Sequence, residues 1–252
     1  MQLTILEKAT ALTAKDFKVR LEKELKELKG QLTASISVDG LTKSGWTRIS
    51  VAGTDNEIVG EIIANRFGLA LMEPRLLEVP GIYEAAIIGR DERGLIFDFG
   101  LDPKRLKCII PTSNLHTQLA DGKSIPLEQL IECYCLHPGM RISTRVTRRA
   151  DDEIEAWLSD RYMHRVEDWV ATGLDRILVF DCFRKEAESA VLTTHLSRDV
   201  VAVESETLTL QSIVCKLGTD AVGLIPKLGH SLRKQKLKPF LPEKIIRRCR
   251  PW

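Results

Sequence analysis

Between residues 80 and 158, short runs of alternating apolar and polar side chains are separated by turn residues. Alternation with a period of two indicates half-buried β-strands. The pattern predicts five of them, at Ile82–Ile88, Leu95–Phe99, Lys107–Ile110, Gly139–Val146 and Glu153–Leu158. Five short strands with a long interruption after the third predict a small closed barrel, for which the OB-fold is the commonest five-stranded form.

The interruption, residues 116–137, carries two further local signals. Gln118–Gly122 ends in Asp-Gly and predicts a turn. Pro126–Cys135 predicts one helix, with its proline at the first turn. A helix between the third and fourth strands is common in OB-folds, so this segment supports the barrel interpretation.

Residues 1–78 predict a separate α+β module with the element order β-α-β-β-α, typical of a ferredoxin-like or KH-like sandwich. Its predicted elements are a strand at Leu3–Leu6, a helix from Thr13 to Lys29, a hairpin of Gln31–Val38 and Trp46–Val51, and a helix at Asp55–Phe67. The Gly-x-x-Gly loop with which KH domains clamp nucleic acid is missing. We therefore expect a structural scaffold here.

The barrel module is predicted to span residues 79–160, and residues 161–252 predict an α/β module with a basic C-terminal tail. The continuous apolar run Arg176–Asp181 predicts a strand covered on both faces. The other predicted elements are helices at Asp160–Thr172 and Phe183–Leu196 and strands at Asp199–Val203, Thr207–Leu217 and Ala221–Ile225. The whole chain is thus predicted to be an α+β protein with a central five-stranded OB-like β-barrel.

Composition adds little beyond the broad class. With 44% hydrophobic and 29% charged residues, the chain of 252 residues has the composition of an ordinary soluble globular protein. No apolar run approaches the ~18 residues of a membrane span, and the N-terminus lacks a signal pattern. The sequence therefore predicts a cytoplasmic protein with no membrane contact, whose six cysteines are reduced thiols.

Charge is distributed unevenly along the chain. Residues 227–252 carry nine basic side chains and one acidic one, a net charge of +8 within a total of +2. The basic residues are Lys227, Arg233, Lys234, Lys236, Lys238, Lys244, Arg247, Arg248 and Arg250. Such asymmetry indicates a polyanionic partner, although a solvated terminal face is the alternative. Phe240 and Trp252 would either stack on bases or dock into the protein's own fold.

The barrel segment also contains the anchors of a known domain. Gly94–Gly100 aligns without a gap with a second strand of the form Gly-Ala-Phe-Val-Asp-Leu-Gly, and Cys108–Leu115 aligns with a third strand and turn of the form Gly-Leu-Val-His-Ile-Ser-Glu-Leu. Pro138-Gly139 and Asp151–Ser159 match the expected fourth and closing strands. The segment, about a third of the chain, thus resembles the S-one RNA-binding domain, the OB-fold repeat of the largest small-subunit ribosomal protein of bacteria.

Two departures bear on what this resemblance implies. The family stacks bases on an aromatic residue in the second strand and a histidine in the third, and these positions are Ile96 and Pro111 here. Phe97 and Phe99 are aromatic but offset, and strand alternation places them on the face opposite Ile96. They are therefore either base-stacking residues or fillers of the barrel core.

Further residues are similar to those of a conserved archaeal family of uncharacterised proteins that carry an S-one-like barrel. They are Asp98-Phe-Gly100, Gln118–Gly122, Leu174–Ile177, Cys215–Asp220 and Gly223–Pro226. This resemblance brings no established activity with it.

The remaining candidate chemistry is weak. Cys133, Cys135 and His137, with Cys108 as a fourth member, have a metal-like composition. However, Cys-x-Cys on a helix splays its side chains about 200° apart, which favours buried thiols. The carboxylates of residues 151–153 precede a strand and indicate a solvated turn. The sequence therefore predicts no catalytic residue, no metal and no cofactor.

Together these patterns predict a non-catalytic RNA-binding protein associated with translation or the ribosome. The predicted RNA contacts are Phe97, Phe99, Arg141, Arg145, Arg148, Arg233, Lys234, Lys236, Lys238, Arg247, Arg248 and Arg250. The alternative is a protein-interaction module that docks to a ribosomal or transcription-machinery subunit without touching RNA. A nuclease or RNA-modifying enzyme is a weaker alternative.

Overall fold

The computed structural model of the protein describes residues 1–101 and 106–249. The predicted loop residues Asp102 and Pro103 lie outside this range, as do the predicted contact Arg250 and the terminal Trp252.

The N-terminal module is a three-stranded antiparallel sheet with two helices packed against it. Its elements are β1 (Gln2–Ile5), α1 (Ala14–Lys29), β2 (Ala34–Leu41), β3 (Thr47–Gly53) and α2 (Asn56–Phe67), with the strand order β1-β3-β2. Phe17, Leu21 and Leu25 recur along one side of α1 and are buried against the sheet. The predicted element order is the observed one.

The central module is a closed barrel of five strands, as predicted. The strands are β4 (Gly81–Arg90), β5 (Gly94–Asp98), β6 (Lys107–Pro111), β7 (Arg141–Arg149) and β8 (Glu153–Leu158). They follow the order β4-β5-β6-β8-β7, in which β6 and β8 run parallel and the other pairs run antiparallel. This is the strand order of an OB-fold barrel.

Two glycines at the ends of β5 are needed for close packing. A side-chain carbon added at Gly94 would lie 2.1 Å from the carbonyl oxygen of Ile110. One added at Gly100, whose φ is +83°, would lie 2.3 Å from Cβ of Ala70. The first and last residues of the Gly94–Gly100 pattern are therefore glycines because neighbouring chain leaves no room there.

Two helices cover one end of the barrel, α3 (Thr112–Leu119) and α4 (Leu127–Tyr134). The sequence predicts α4 but only a turn in place of the end of α3. Serine, threonine and asparagine in the first turn of α3 favour non-helical backbone in isolation. Leu115 and Leu119, four residues apart, are both buried in the barrel core, so tertiary packing decides the conformation.

The C-terminal module is a four-stranded antiparallel sheet with helices on both faces. It comprises α5 (Asp160–Ala171), β9 (Arg176–Phe180), α6 (Arg184–Thr193), β10 (Val200–Ser205), β11 (Leu210–Cys215), α7 (Ala221–Ser231), β12 (Lys236–Phe240) and α8 (Pro242–Arg248). The strand order is β10-β11-β9-β12. All five residues of β9 are buried, which confirms the prediction of a strand covered on both faces.

One prediction for this module is wrong, and the structure adds detail to another. Ala221–Ile225, predicted as a strand, is the first half of α7, because the carboxylate of Asp220 accepts hydrogen bonds from the N–H groups of Val222 and Gly223 at 3.0 Å each. The basic C-terminal segment, predicted only as a tail, is folded up to residue 249. It folds as β12 and α8, which bury Phe240 and Ile245 in the same hydrophobic cluster as the barrel core.

The three modules are packed together. Trp46 is buried on the outside of the barrel, and its indole N–H donates to Oδ2 of Asp98 at 3.3 Å. Nζ of Lys8 lies 3.7 Å from the centroid of the Trp46 ring. The buried carboxylate of Glu7 accepts a hydrogen bond from the N–H of Leu208 at 3.0 Å and so joins the first module to the third. The predicted module boundaries near residues 78 and 160 stay predictions.

In the described part of the chain, no helix combines the length and the apolar character that crossing a membrane requires.

The Glu7 contact predicts a pH-dependent stability. Burial raises the pKa of Glu7 from its ordinary 4.5 to about 7, despite opposing attraction from Arg141 and Arg66 and with added repulsion from Glu24. A carboxyl group with a raised folded-state pKa contributes its full stability below the unfolded pKa and loses it as the pH rises through about 7. We expect the free energy of unfolding of the wild type, measured with urea, to fall by roughly 3 kcal/mol from pH 5 to pH 9 because of Glu7. Glu7→Gln should abolish this decrease, because glutamine does not titrate.

The matched control is Glu61→Gln, which neutralises an exposed carboxylate on α2. It should leave the pH dependence of the wild type unchanged. Parallel stability curves for the wild type and Glu7→Gln across this range would contradict the prediction.

Candidate anion-binding surface

Basic residues of the C-terminal segment lie on β12 and α8, two elements next to α4. Alternation along β12 places Lys236 and Lys238 on one face, while Leu237 packs in the opposite direction, against the α6–α7 side of the sheet. Lys244 and Arg248 are four residues apart on α8, so they share one side of that helix. Both elements contact α4. We call Lys236, Lys238, Lys244 and Arg248 the C-terminal cation cluster.

The two lysines of β12 differ in their contacts. Nζ of Lys238 donates to both carboxylate oxygens of Glu132 on α4, at 2.9 Å each. Nζ of Lys236 lies 5.8 Å from the centroid of the Phe180 ring, and within the described residues no carboxylate pairs with it. Burial, followed by repulsion from Lys238, lowers the pKa of Lys236. This lysine is therefore the cation of β12 that an external anion can neutralise.

Two of the three cations of α8 act on a cysteine of α4. A hydrogen bond with Cys249, followed by the positive charges of Lys244 and Arg248, lowers the pKa of Cys133 to about 7, although burial opposes the shift. Among the described residues neither Lys244 nor Arg248 forms an ion pair, whereas Arg247 donates to Glu243 at 2.7 Å. Negative charge is thus favoured beside α8.

A cleft of about 270 Å³ separates the β12 lysines from the barrel. Its polar lining comes from both modules and consists of Arg90, Glu128, Glu132, His137, Lys236 and Lys238. The C-terminal segment therefore forms one continuous surface with α4 and with the loop that precedes β7.

The predicted barrel arginines are engaged in internal contacts. Arg141 donates to the carbonyl oxygen of Arg66 at 2.8 Å, and burial lowers its pKa. Arg145 pairs with Asp160. Nη2 of Arg148 donates to Oε1 of Glu155 at 2.7 Å. Each of these three guanidinium groups therefore already uses part of its hydrogen-bonding capacity on an internal partner.

Cations in the loops that flank β5 and β6 are also paired with carboxylates. The guanidinium group of Arg93 donates to both carboxylate oxygens of Glu153, at 2.7 and 2.6 Å. Nζ of Lys107 lies 2.7 Å from Oδ2 of Asp91, and Arg90 pairs with Glu128. These loops border the ligand face of other OB-folds. Here their cations already have carboxylate partners.

Phe97 and Phe99 are core residues and not surface stacking residues. Both are buried, and their ring centroids lie 4.9 Å apart in an edge-to-face arrangement. Ile96 and Pro111 are half-buried at the positions where the S-one resemblance implies stacking. The two phenylalanines therefore do not belong to the candidate surface.

One outward-facing aromatic residue escaped the sequence prediction. Ile154, Ala156 and Leu158 of β8 point into the barrel core, so Trp157 points outward, where it is half-buried. It lies opposite Arg145 on β7. Alternation along Glu153–Leu158 was the signal that could have identified it.

The other predicted residues are spread around the cluster. Arg233, whose Nε donates to the carbonyl oxygen of His230 at 3.1 Å, and Lys234 are exposed in the turn between α7 and β12. The cysteines of the metal-like group are buried, as predicted. Burial raises the pKa of Cys108 and of Cys135 to about 12 each, so both stay protonated. Within the described ranges no group of histidine, cysteine or carboxylate side chains has the arrangement of a metal site.

Residues 174–238 match the DUF2110 C-terminal domain. The third module contains this domain. The DUF2110 segment begins two residues before β9 and ends at Lys238, so it includes the two lysines of β12 but not α8. It covers about a quarter of the chain. A comparison with curated proteins finds no match.

The position of Phe97 predicts the effect of its removal. Phe97→Ala should lower the free energy of unfolding by about 3–5 kcal/mol, because it leaves a cavity in the barrel core. Ile96→Ala, on the outer face, should cost clearly less in the same urea titration. Equal costs for the two variants would show that Phe97 is not a core residue.

Proposed function

We propose that this protein binds RNA without transforming it, and that the C-terminal cation cluster makes the main contact. The observation that supports this proposal is the set of cations Lys236, Lys244 and Arg248, which form no ion pair among the described residues and lie on two elements that contact α4. Lys234 and Arg233 extend the positive surface beyond the turn that precedes β12.

Phosphate groups are the chemical partners that suit this arrangement. Lysine and arginine bind the RNA backbone by releasing its condensed counterions, and such binding needs no contact with base edges. Cations without internal partners break no ion pair when they bind, whereas the paired arginines of the barrel already have a carboxylate beside them. The cluster is therefore the favoured site of first contact.

The barrel supplies the second part of the proposal. Its strand order is that of an OB-fold, and we propose that it is of the S-one type, with Trp157 and Arg145 as the outward-facing pair that meets a base. A translation or ribosome setting, an archaeal origin and a cytoplasmic location are proposed from sequence resemblance and composition.

Docking to a protein subunit is the second candidate function. Leu76 and Val79, on the segment that leads into β4, and Ile82, at the start of β4, are exposed apolar side chains. The barrel cations Arg93 and Lys107 are paired with carboxylates, as in a surface that does not recruit a polyanion. A ribosomal or transcription-machinery protein would bind this barrel face without RNA.

Salt titration of RNA binding tests the proposal. For single-stranded RNA the slope of log K against log salt is about −0.7 for each neutralised phosphate. The triple variant Lys236→Met, Lys244→Met, Arg248→Met should therefore bind more weakly and flatten the slope by about 2. Substitution is preferable to truncation, because β12 and α8 bury core residues.

The control removes the same charge elsewhere, with Lys15, Lys26 and Lys123 changed to methionine. These lysines are exposed and lie outside the cluster, so this variant should keep the wild-type slope. Salt-insensitive binding, or no binding, together with capture of a protein partner would favour the docking function. Degradation of labelled RNA in the presence of Mg²⁺ would show that the protein is an enzyme.

A further inference from the structure

The cleft between β12 and the barrel contains a buried nitrogen with no hydrogen-bond partner. The side chain of His137 is 7% exposed, and its Nε2 makes no hydrogen bond within the described part of the chain. Buried polar atoms are nearly always hydrogen-bonded in native proteins. An orphan ring nitrogen beside a cleft therefore indicates that a polar group binds there.

The nearest candidate partner in the protein does not satisfy this nitrogen. Oε1 of Glu132 lies 3.6 Å from Nε2 of His137, which is beyond hydrogen-bonding distance. Both oxygens of that carboxylate accept from Lys238, at 2.9 Å. The planar carboxylate thus satisfies one cation and leaves both His137 and Lys236 without an anionic partner.

We infer that this cleft binds one phosphate group, which displaces the carboxylate of Glu132 and contacts His137, Lys236 and Lys238 together. A tetrahedral phosphate has oxygens on several sides, so it can accept from donors on opposite walls, which a planar carboxylate cannot do. The volume of about 270 Å³ accommodates one such group and an attached sugar edge. The inference rests on the proposed function only for the source of the phosphate.

The position of Glu132 allows a ligand to displace its side chain. Its side chain is 49% exposed at the edge of α4, so it can rotate into solvent without crossing the core. The other acid of the cleft, Glu128, is paired with Arg90 and stays in place. Once Glu132 leaves, no unpaired carboxylate remains in the cleft lining among the described residues, and Asp181 acts on Lys236 from outside this lining.

The charge state of His137 suits a donor role at neutral pH. Burial, followed by repulsion from Lys236 and Lys238, lowers the pKa of His137 to about 4, and the attraction of Glu132 only partly opposes this. The ring is therefore neutral, with one N–H to donate. A bound phosphate adds negative charge beside the lysines, so it should raise the pKa of His137.

The test follows the imidazole resonances of His137 by NMR in the full chain, during titration with inorganic phosphate at constant ionic strength set by chloride. We expect a saturable shift and an increase in the His137 pKa of one unit or more. Glu132→Gln should tighten phosphate binding severalfold, because it removes the competing anion, and Lys236→Met should weaken it about tenfold. Lys15→Met should change neither quantity.

A second titration identifies the source of the phosphate. If it is the RNA backbone, a single-stranded oligonucleotide with only internal phosphates should shift the same His137 resonances, and inorganic phosphate should compete with it. If it is a free phosphate, only the inorganic ion should shift them.

The two proposals fail separately. Salt-dependent RNA binding with an unmoved His137 resonance, or with Glu132→Gln no tighter than the wild type, would overturn the phosphate site and leave RNA binding intact. A saturable phosphate shift in a protein that does not bind RNA would support the site and overturn the proposed function.

Discussion

The parallel pairing of β6 with β8 is the constraint on which the rest of the structure depends. It closes the barrel, and closure pairs the strand edges that an open sheet would leave free. Two parallel strands cannot be joined by a tight turn, so the chain between them must travel around the barrel. That connection consists of α3, α4, the loop at His137 and β7. Most barrel groups of the cleft that faces β12 therefore come from the segment that the parallel pair requires, and Gly89 and Arg90 of β4 complete its lining.

Much of the architecture could be predicted because its causes are local. Alternation identified the five barrel strands, and Pro126 at the first turn of the predicted helix identified α4. The failures have tertiary causes. The strand β12 was not predicted, because Pro239 disfavours a strand in a sequence pattern. In the structure β12 is an edge strand, where proline is tolerated. The apolar run after Asp220 fits a strand or a helix equally well, and only the capping bonds of Asp220 decide.

The sequence predicted the positive charge of the candidate surface but not how its side chains are arranged and paired. Arg93 and Lys236 contribute equally to the net charge of the sequence. In the structure, Arg93 donates two hydrogen bonds to the carboxylate of Glu153, whereas Lys236 has no carboxylate partner among the described residues. The role of His137 depends on a strand about a hundred residues later in the chain. No local pattern reports such a contact. The barrel face and the C-terminal surface thus differ in whether their cations are paired with carboxylates, and not in how many cations they carry.

The position of β12 at the end of its sheet has a consequence for self-association. An edge strand offers unpaired backbone groups to any second chain, and this can lead to aggregation. Here Pro239 has no N–H to offer, and its carbonyl oxygen accepts from Sγ of Cys135 at 3.4 Å. The lysines on either side of Leu237 would repel an identical strand laid alongside. The same short stretch of chain therefore disfavours pairing of β12 with an identical strand from a second copy.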